Sequence, residues 1–191
     1  RGLSLTSEGS DLDYIMGLIM TGHAGWEHPL QILPIYKDVS QFFGQAKAHY
    51  SSQLLISDYP LGSAIEYRYG GEELFDNEKL MSWNPWKEVS SRRSFVKKPR
   101  EEFGFPIAAE AAADIKRAGG YIGVGAHGEQ NGLDTHWEVW TLSEALEPIE
   151  ALEAATMDSA HFLGLEEEIG SISVGKLGDV VILNSNPIDN I

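Results

Sequence analysis

The spacing of hydrophobic and polar positions changes period repeatedly along the chain. Residues 2–7 form a short apolar run that ends in the polar turn Glu8-Gly9-Ser10, which predicts a strand. Over residues 11–20, Leu12, Ile15, Met16 and Ile19 recur on one face, with Ser10 or Asp11 as N-cap and Gly22 as stop, which predicts a helix. Residues 24–28 read as a second strand and 34–48 as a second helix, since Ile35, Val39, Phe42 and Phe43 share a face from which Lys37 and Asp38 point away. A buried strand at 50–57, an Ala-rich helix at 107–118 closed by Gly119-Gly120, and a fourth strand at 121–126 follow. Residues 133–142 and 148–163 read as helices, the second capped by Gly164.

Strand followed by helix, four times over, predicts an α/β fold in which crossover helices connect parallel strands. Two stretches depart from the rhythm. Between residues 58 and 105, glycines and prolines break every period, while Tyr59, Tyr67, Tyr69, Phe75, Trp83 and Trp86 supply aromatic surface, so this is an irregular insertion or lid packed on something else. Residues 169–183 hold two short strand candidates around the turn Gly175-Lys176, so the chain divides into 1–163 and a small β-subdomain over 164–191.

A length of 191 residues suits one domain or a piece of a barrel that in full runs to about 250 residues. Apolar residues at 42% and charged residues at 23% allow a packed core. With 14 basic against 29 acidic residues, the net charge of -15 disfavours nucleic acid and anionic membrane surfaces as partners. Arg92, Arg93, Lys97, Lys98 and Arg100 cluster, but against that background they read as a solvated loop facing acidic neighbours. No apolar run approaches the roughly 20 residues of a spanning helix. The start at Arg1, with neither initiator Met nor signal peptide, reads as a cut from something longer, and the compartment stays open. Without cysteine, any metal must be held by His and carboxylate.

In parallel βα architectures, chemistry gathers at the carboxyl ends of the strands. Those positions hold Glu8, His28 and His127. Each alone reads most simply as a turn carboxylate or a packing imidazole; three metal-competent groups at equivalent positions point to a site. His23 reads as a loop residue.

The tail from Ala151 onward carries Ala155, Thr156, Ala160, Leu163 and Gly164 in the pattern A-T-x-x-x-A-x-x-L-G, followed by IGSISVGKLGDVVIL and Asn186-Pro187. It resembles the end of the metal-dependent amidohydrolase superfamily, with Gly178 a mild departure from the usual Ala. Trp26-Glu27-His28 is similar to that family's strand-6 signature I-E-H. The strand-5 metal His of the family falls about 20 residues earlier, on Glu8, and the strand-8 G-T-D falls on Gly125-Ala126-His127. The resemblance therefore implies a swap, with a carboxylate for the family's His and an imidazole for its Asp. The strings GHAGWEH (22–28) and GAHGEQNGLDTHWE (125–138) resemble a subgroup of imidazolonepropionase-like and prolidase-like amidohydrolases that follow a TolB-like propeller.

What the resemblance implies is the C-terminal half, strands 5 to 8, of a TIM-type (β/α)8 barrel plus part of a β-sandwich subdomain. It implies Glu8 and His28 as ligands of a divalent metal, zinc or iron, and His127 as general base or further ligand. His136 and Glu138, one turn into the next helix, would orient His127 or grip substrate. The activity implied is hydrolysis of a C–N bond in a small amide, cyclic amide or peptide. The family's strand-1 HxH pair occurs nowhere in the chain, so the missing half of the barrel, or a second copy, would have to complete the site. The alternative is a catalytically inactive descendant serving as a binding or scaffold module.

Overall fold

A computed structural model describes residues 4–57, 62–71, 74–84, 90–189 and 191. Four short parallel strands form one sheet in sequence order: β1 (Thr6–Glu8), β2 (Gly25–Glu27), β3 (His49–Ser51) and β4 (Tyr121–Gly123). The register aligns Ser7, Trp26, Tyr50 and Ile122 in one row across the sheet. That row faces the helices. Trp26 stacks on Tyr50 at 4.7 Å and tilts against Phe43 at 4.5 Å, and Ile15, Phe43, Ile115, Ile122 and Leu142 complete a core with no exposed surface.

Helices α1 (Leu12–Met20) and α2 (Lys37–Gln45) make the first two crossovers. The predicted cap of α1 is present, as the Asp11 side chain accepts the backbone N–H of Tyr14 at 2.9 Å. α2 is shorter than its apolar pattern suggested. Gly44 on this helix sits against Ala118, where an added Cβ would lie 2.4 Å from the Ala118 carbonyl oxygen. Gly44→Ala is therefore expected to overpack the junction and cost about 1–3 kcal/mol, read as a lower thermal midpoint by circular dichroism.

The segment expected to lack regular structure contains α3 (Ala64–Gly71), α4 (Glu78–Trp83) and three short 3-10 turns, before α5 (Phe105–Arg117). These helices are too short, and too closely bounded by Gly and Pro, for a periodic signal. The aromatic expectation holds in part: Tyr67, Tyr69, Phe75 and Phe95 join Phe103, Phe105 and Trp137 in a second apolar cluster, whereas Trp83 is 81% exposed. Tyr59 and Trp86 lie outside the described residues. Four of the clustered cations are engaged locally. Arg92 lies over the Tyr69 ring at 5.0 Å and pairs with Glu129, Arg93 lies over Phe75, Lys98 over Phe103, and Arg100 pairs with Glu144.

After β4 come α6 (Asp134–Leu142), α7 (Pro148–Glu153), a π-helical turn (Ala154–Asp158) and α8 (Ser159–Leu163), ended by Gly164 at φ 69°. The π turn has a packing purpose. Asp158 accepts the backbone N–H of Ile122 at 3.1 Å and pairs with Lys116 at 2.7 Å, while Ser159 Oγ accepts the N–H of Val124 at 3.2 Å. The outward donors of β4 are thus satisfied by side chains.

The strand pair expected around Gly175-Lys176 is not formed among the described residues. The turn itself is present, with Gly175 at φ 96° and the Lys176 N–H donating to Ser173 O, but its flanks pair with no strand. Ile172 and Ile182 are 92% and 93% exposed. A strand needs a partner ladder, and the described chain supplies none here.

Candidate active site

The carboxyl ends of the strands carry an unusual backbone. His28 directly after β2, Gln53 after β3 and His127 after β4 have φ of 76°, 46° and 59°, the left-handed region that non-glycine residues seldom occupy. Each such residue costs about 1–3 kcal/mol and persists where surrounding structure dictates it.

The structure brings the three predicted groups to one edge of the sheet. His28 Nδ1 lies 3.7 Å from Glu8 Oε1, and the rings of His28 and His127 meet edge to face with centroids 5.5 Å apart. Glu8, Gly9, His28, Leu30, Ile56 and Ser57 line a cleft of about 230 Å³. The His127 side chain has a partner that the sequence reading missed: its Nδ1 lies 3.2 Å from Glu129 Oε1. A carboxylate can only accept, so Nδ1–H donates and Nε2 is left with the lone pair. Arg92 of the 58–105 segment in turn donates to the Glu129 carboxylate at 3.1 Å, tying that segment to the His127 loop. His23 lies in the loop after α1, where its Nδ1 is 3.1 Å from Leu18 O.

Glu138 and His136 go elsewhere. Glu138 is wholly buried and accepts three hydrogen bonds from the loop after β3: from Ser52 Oγ at 2.9 Å, Leu54 N at 2.7 Å and Leu55 N at 2.9 Å. It therefore shapes the loop that runs into the cleft, and it is Glu129 that accepts the hydrogen bond of His127. Burial pushes its carboxyl up to about 7, against the opposing pull of the Leu54, Leu55 and Ser52 donors. The same pull ends the strand predicted at 50–57 after Ser51, because the N–H groups of 54 and 55 turn to the carboxylate and not to a ladder. His136 is exposed and lines a separate cleft with Leu80, Trp83 and Asn84.

At the opposite end of the strands, His49 stacks on Tyr121 at 4.8 Å and tilts against His161 at 4.7 Å. Burial, reinforced by His161, pushes its imidazole down to about 4.

The donor chemistry of Glu8, His28 and His127, one carboxylate and two imidazoles, suits a divalent metal such as zinc or iron. Among the described residues, no three His, Asp, Glu or Cys side chains stand close enough to hold an ion by themselves.

Comparison with known proteins returns similar α/β folds. Residues 111–190 match the amidohydrolase family, as the resemblance read from the sequence implies. Imidazolonepropionase of Symbiobacterium thermophilum is 58% identical over 40 residues, covering 21% of this chain and 9% of that protein. A 5'-deoxyadenosine deaminase of Methanobrevibacter smithii is 39% identical over 77 residues, covering 34% and 18% respectively. The crystal structure of an amidohydrolase superposes with a TM-score of 0.64 at 19% identity, over 98% of this chain and 39% of its own. The fold is thus shared with amidohydrolases, and this chain spans well under half the length of these relatives.

Proposed function

We propose that this chain forms strands 5 to 8 of a metal-dependent amidohydrolase barrel, with residues 164–191 contributing to its β-subdomain. We assign it hydrolysis of a C–N bond in a small amide, cyclic amide or peptide. The observation that carries this reading is the convergence of Glu8, His28 and His127 at the carboxyl edge of one parallel sheet.

Glu8 and His28 would hold a divalent metal, zinc or iron, together with ligands from the rest of the barrel. When bound, such an ion makes water a stronger nucleophile and polarises a carbonyl oxygen. The chain's own residues handle the proton. With Nδ1–H committed to Glu129, Nε2 of His127 takes a proton from the attacking water and returns it to the departing nitrogen as the C–N bond breaks. Arg92 steadies Glu129, and so the tautomer of His127.

The test is metal content and amide hydrolysis in the complete natural protein. Glu8→Gln is expected to weaken metal affinity by about 10- to 100-fold, measured by competition with a chelator. Unchanged occupancy would rule out Glu8 as a ligand. The second reading is an inactive binding module, in which Glu8 and His127, standing where the family resemblance expects a His and an Asp, mark loss of the metal. Stoichiometric metal in the complete protein decides against it.

A further inference from the structure

The hydrolytic chemistry leaves Lys79, Trp83 and His136 without a part, and they stand around one opening. A cleft of about 690 Å³ lies between α4 and the start of α6, and Leu80, Asn131 and Leu133 line it as well. That volume is in the range of small-molecule sites. The cleft is open to solvent, since Lys79, Trp83, Asn131 and His136 are all exposed.

Its walls are held in place. Asn77 and Asn84 brace α4 at its two ends, the first accepting the Leu80 N–H at 3.0 Å and the second donating to Leu80 O at 2.7 Å. Buried Gln130 donates to Asn84 and accepts from the Tyr69 hydroxyl, so α4 and the loop before α6 are joined side chain to side chain. A six-residue helix has little stability of its own, yet these bonds fix it with its Trp exposed. The other aromatic side chains described in the 58–105 segment, such as Tyr67, Tyr69, Phe75 and Phe95, pack in the second apolar cluster.

Charge gives the ligand class. The chain has 29 acidic against 14 basic residues, but no carboxylate lines this cleft and Lys79 does. Among the described residues, the Lys79 ammonium and the His136 imidazole make no hydrogen bond or ion pair, in contrast to the guanidinium groups of Arg92 and Arg100. Distant acidic groups oppose an anion here only weakly, because salt screens exposed charges beyond about 8 Å. We propose that the cleft binds a small arylalkyl carboxylate, its ring on the Trp83 indole and its carboxylate accepting from Lys79 Nζ and an N–H of His136. This goes beyond the hydrolase reading, since the ligand touches none of Glu8, His28 and His127.

The experiment titrates the complete protein with phenylacetate, with its neutral isostere phenylacetamide and with acetate, followed by calorimetry. Phenylacetate is expected to bind at least about 10-fold more tightly than either control. Lys79→Met and His136→Gln are each expected to weaken phenylacetate by about 3- to 10-fold and to leave phenylacetamide unchanged. Trp83→Ala is expected to weaken acid and amide together, by about 3-fold or more. All three side chains are exposed, so each variant should keep the thermal midpoint within about 4 °C of the wild type. A carboxylate can also ligate a metal, and His28→Ala is the control for that: its affinity for phenylacetate should match the wild type. Loss of binding in His28→Ala, equal affinity for acid and amide, or phenylacetate binding undisturbed in both Lys79→Met and His136→Gln overturns the proposal. So does wild-type protein that binds no phenylacetate at about 10 mM. The hydrolase reading can fail without touching this result, because nothing in the titration reads turnover.

Discussion

Glu138→Ala is expected to destabilise the protein by about 3–5 kcal/mol, a fall of about 10 °C or more in the unfolding midpoint, because it strands the Ser52 hydroxyl and the Leu54 and Leu55 N–H groups in a dry interior. Loss of the cleft-lining loop should accompany it, so proteolysis near residues 52–57 is expected to accelerate. Glu138→Gln keeps a carbonyl acceptor and should fold. Its difference lies in pH dependence. The Glu138 carboxyl is raised to about 7 from an unfolded value near 4.5, so its contribution to stability is fully present below 4.5 and is lost as pH rises toward 7. His49 has the opposite slope. Its imidazole is lowered from 6.5 to about 4, so its contribution is present above 6.5 and is lost as pH falls toward 4. The two slopes oppose each other across the window from about 4.5 to 6.5 and partly cancel in the wild type. In Glu138→Gln only the His49 slope remains, and urea unfolding at pH 5 and pH 6.5 should show a loss of stability on acidification steeper than in the wild type. Parallel behaviour of the two proteins would refute the assignment of a raised carboxyl to Glu138.

The second large effect is on the site itself. In the complete protein, His28→Ala is expected to lower both bound metal and turnover by more than about 100-fold, since it removes an imidazole that would ligate the ion. His23→Ala, which only loosens the end of α1, should change neither. Because His28 sits at φ 76°, His28→Gly provides a control for folding: it relieves the left-handed strain, so it should lose metal and activity while holding or raising the midpoint. Wild-type turnover in His28→Ala would remove His28 from the reaction.

The sequence carried the strand and helix order because local rules suffice for it. A change of period marks each crossover, Asp11 caps α1, Gly164 ends α8, and the same rhythm puts Glu8, His28 and His127 at or after the carboxyl ends of three strands. Tail residues such as Thr156, Ala160 and Gly164 carried the family resemblance. The short helices α3 and α4 in the 58–105 segment escaped because one or two turns leave no usable period. The strand ending at Ser51 and not Ser57 escaped because the cause lies on another element.

What tertiary structure alone decided is the division of labour among the polar groups. Glu138 sits on the buried face of α6 with Trp137, Thr141 and Leu142, a placement that its neighbours in sequence hint at. Its partners, however, are 83 to 86 residues away, and a hydrogen bond across that separation exists only once the sheet has assembled. Glu129 replaces His136 as the partner of His127 because a left-handed turn at residue 127 folds the chain back on itself within two residues, while α6 carries His136 to the exposed side. Gln53 has its left-handed backbone between residues that the same buried carboxylate holds. Periodicity records which face of an element is apolar; which polar group meets which depends on loop conformations fixed by long-range contacts.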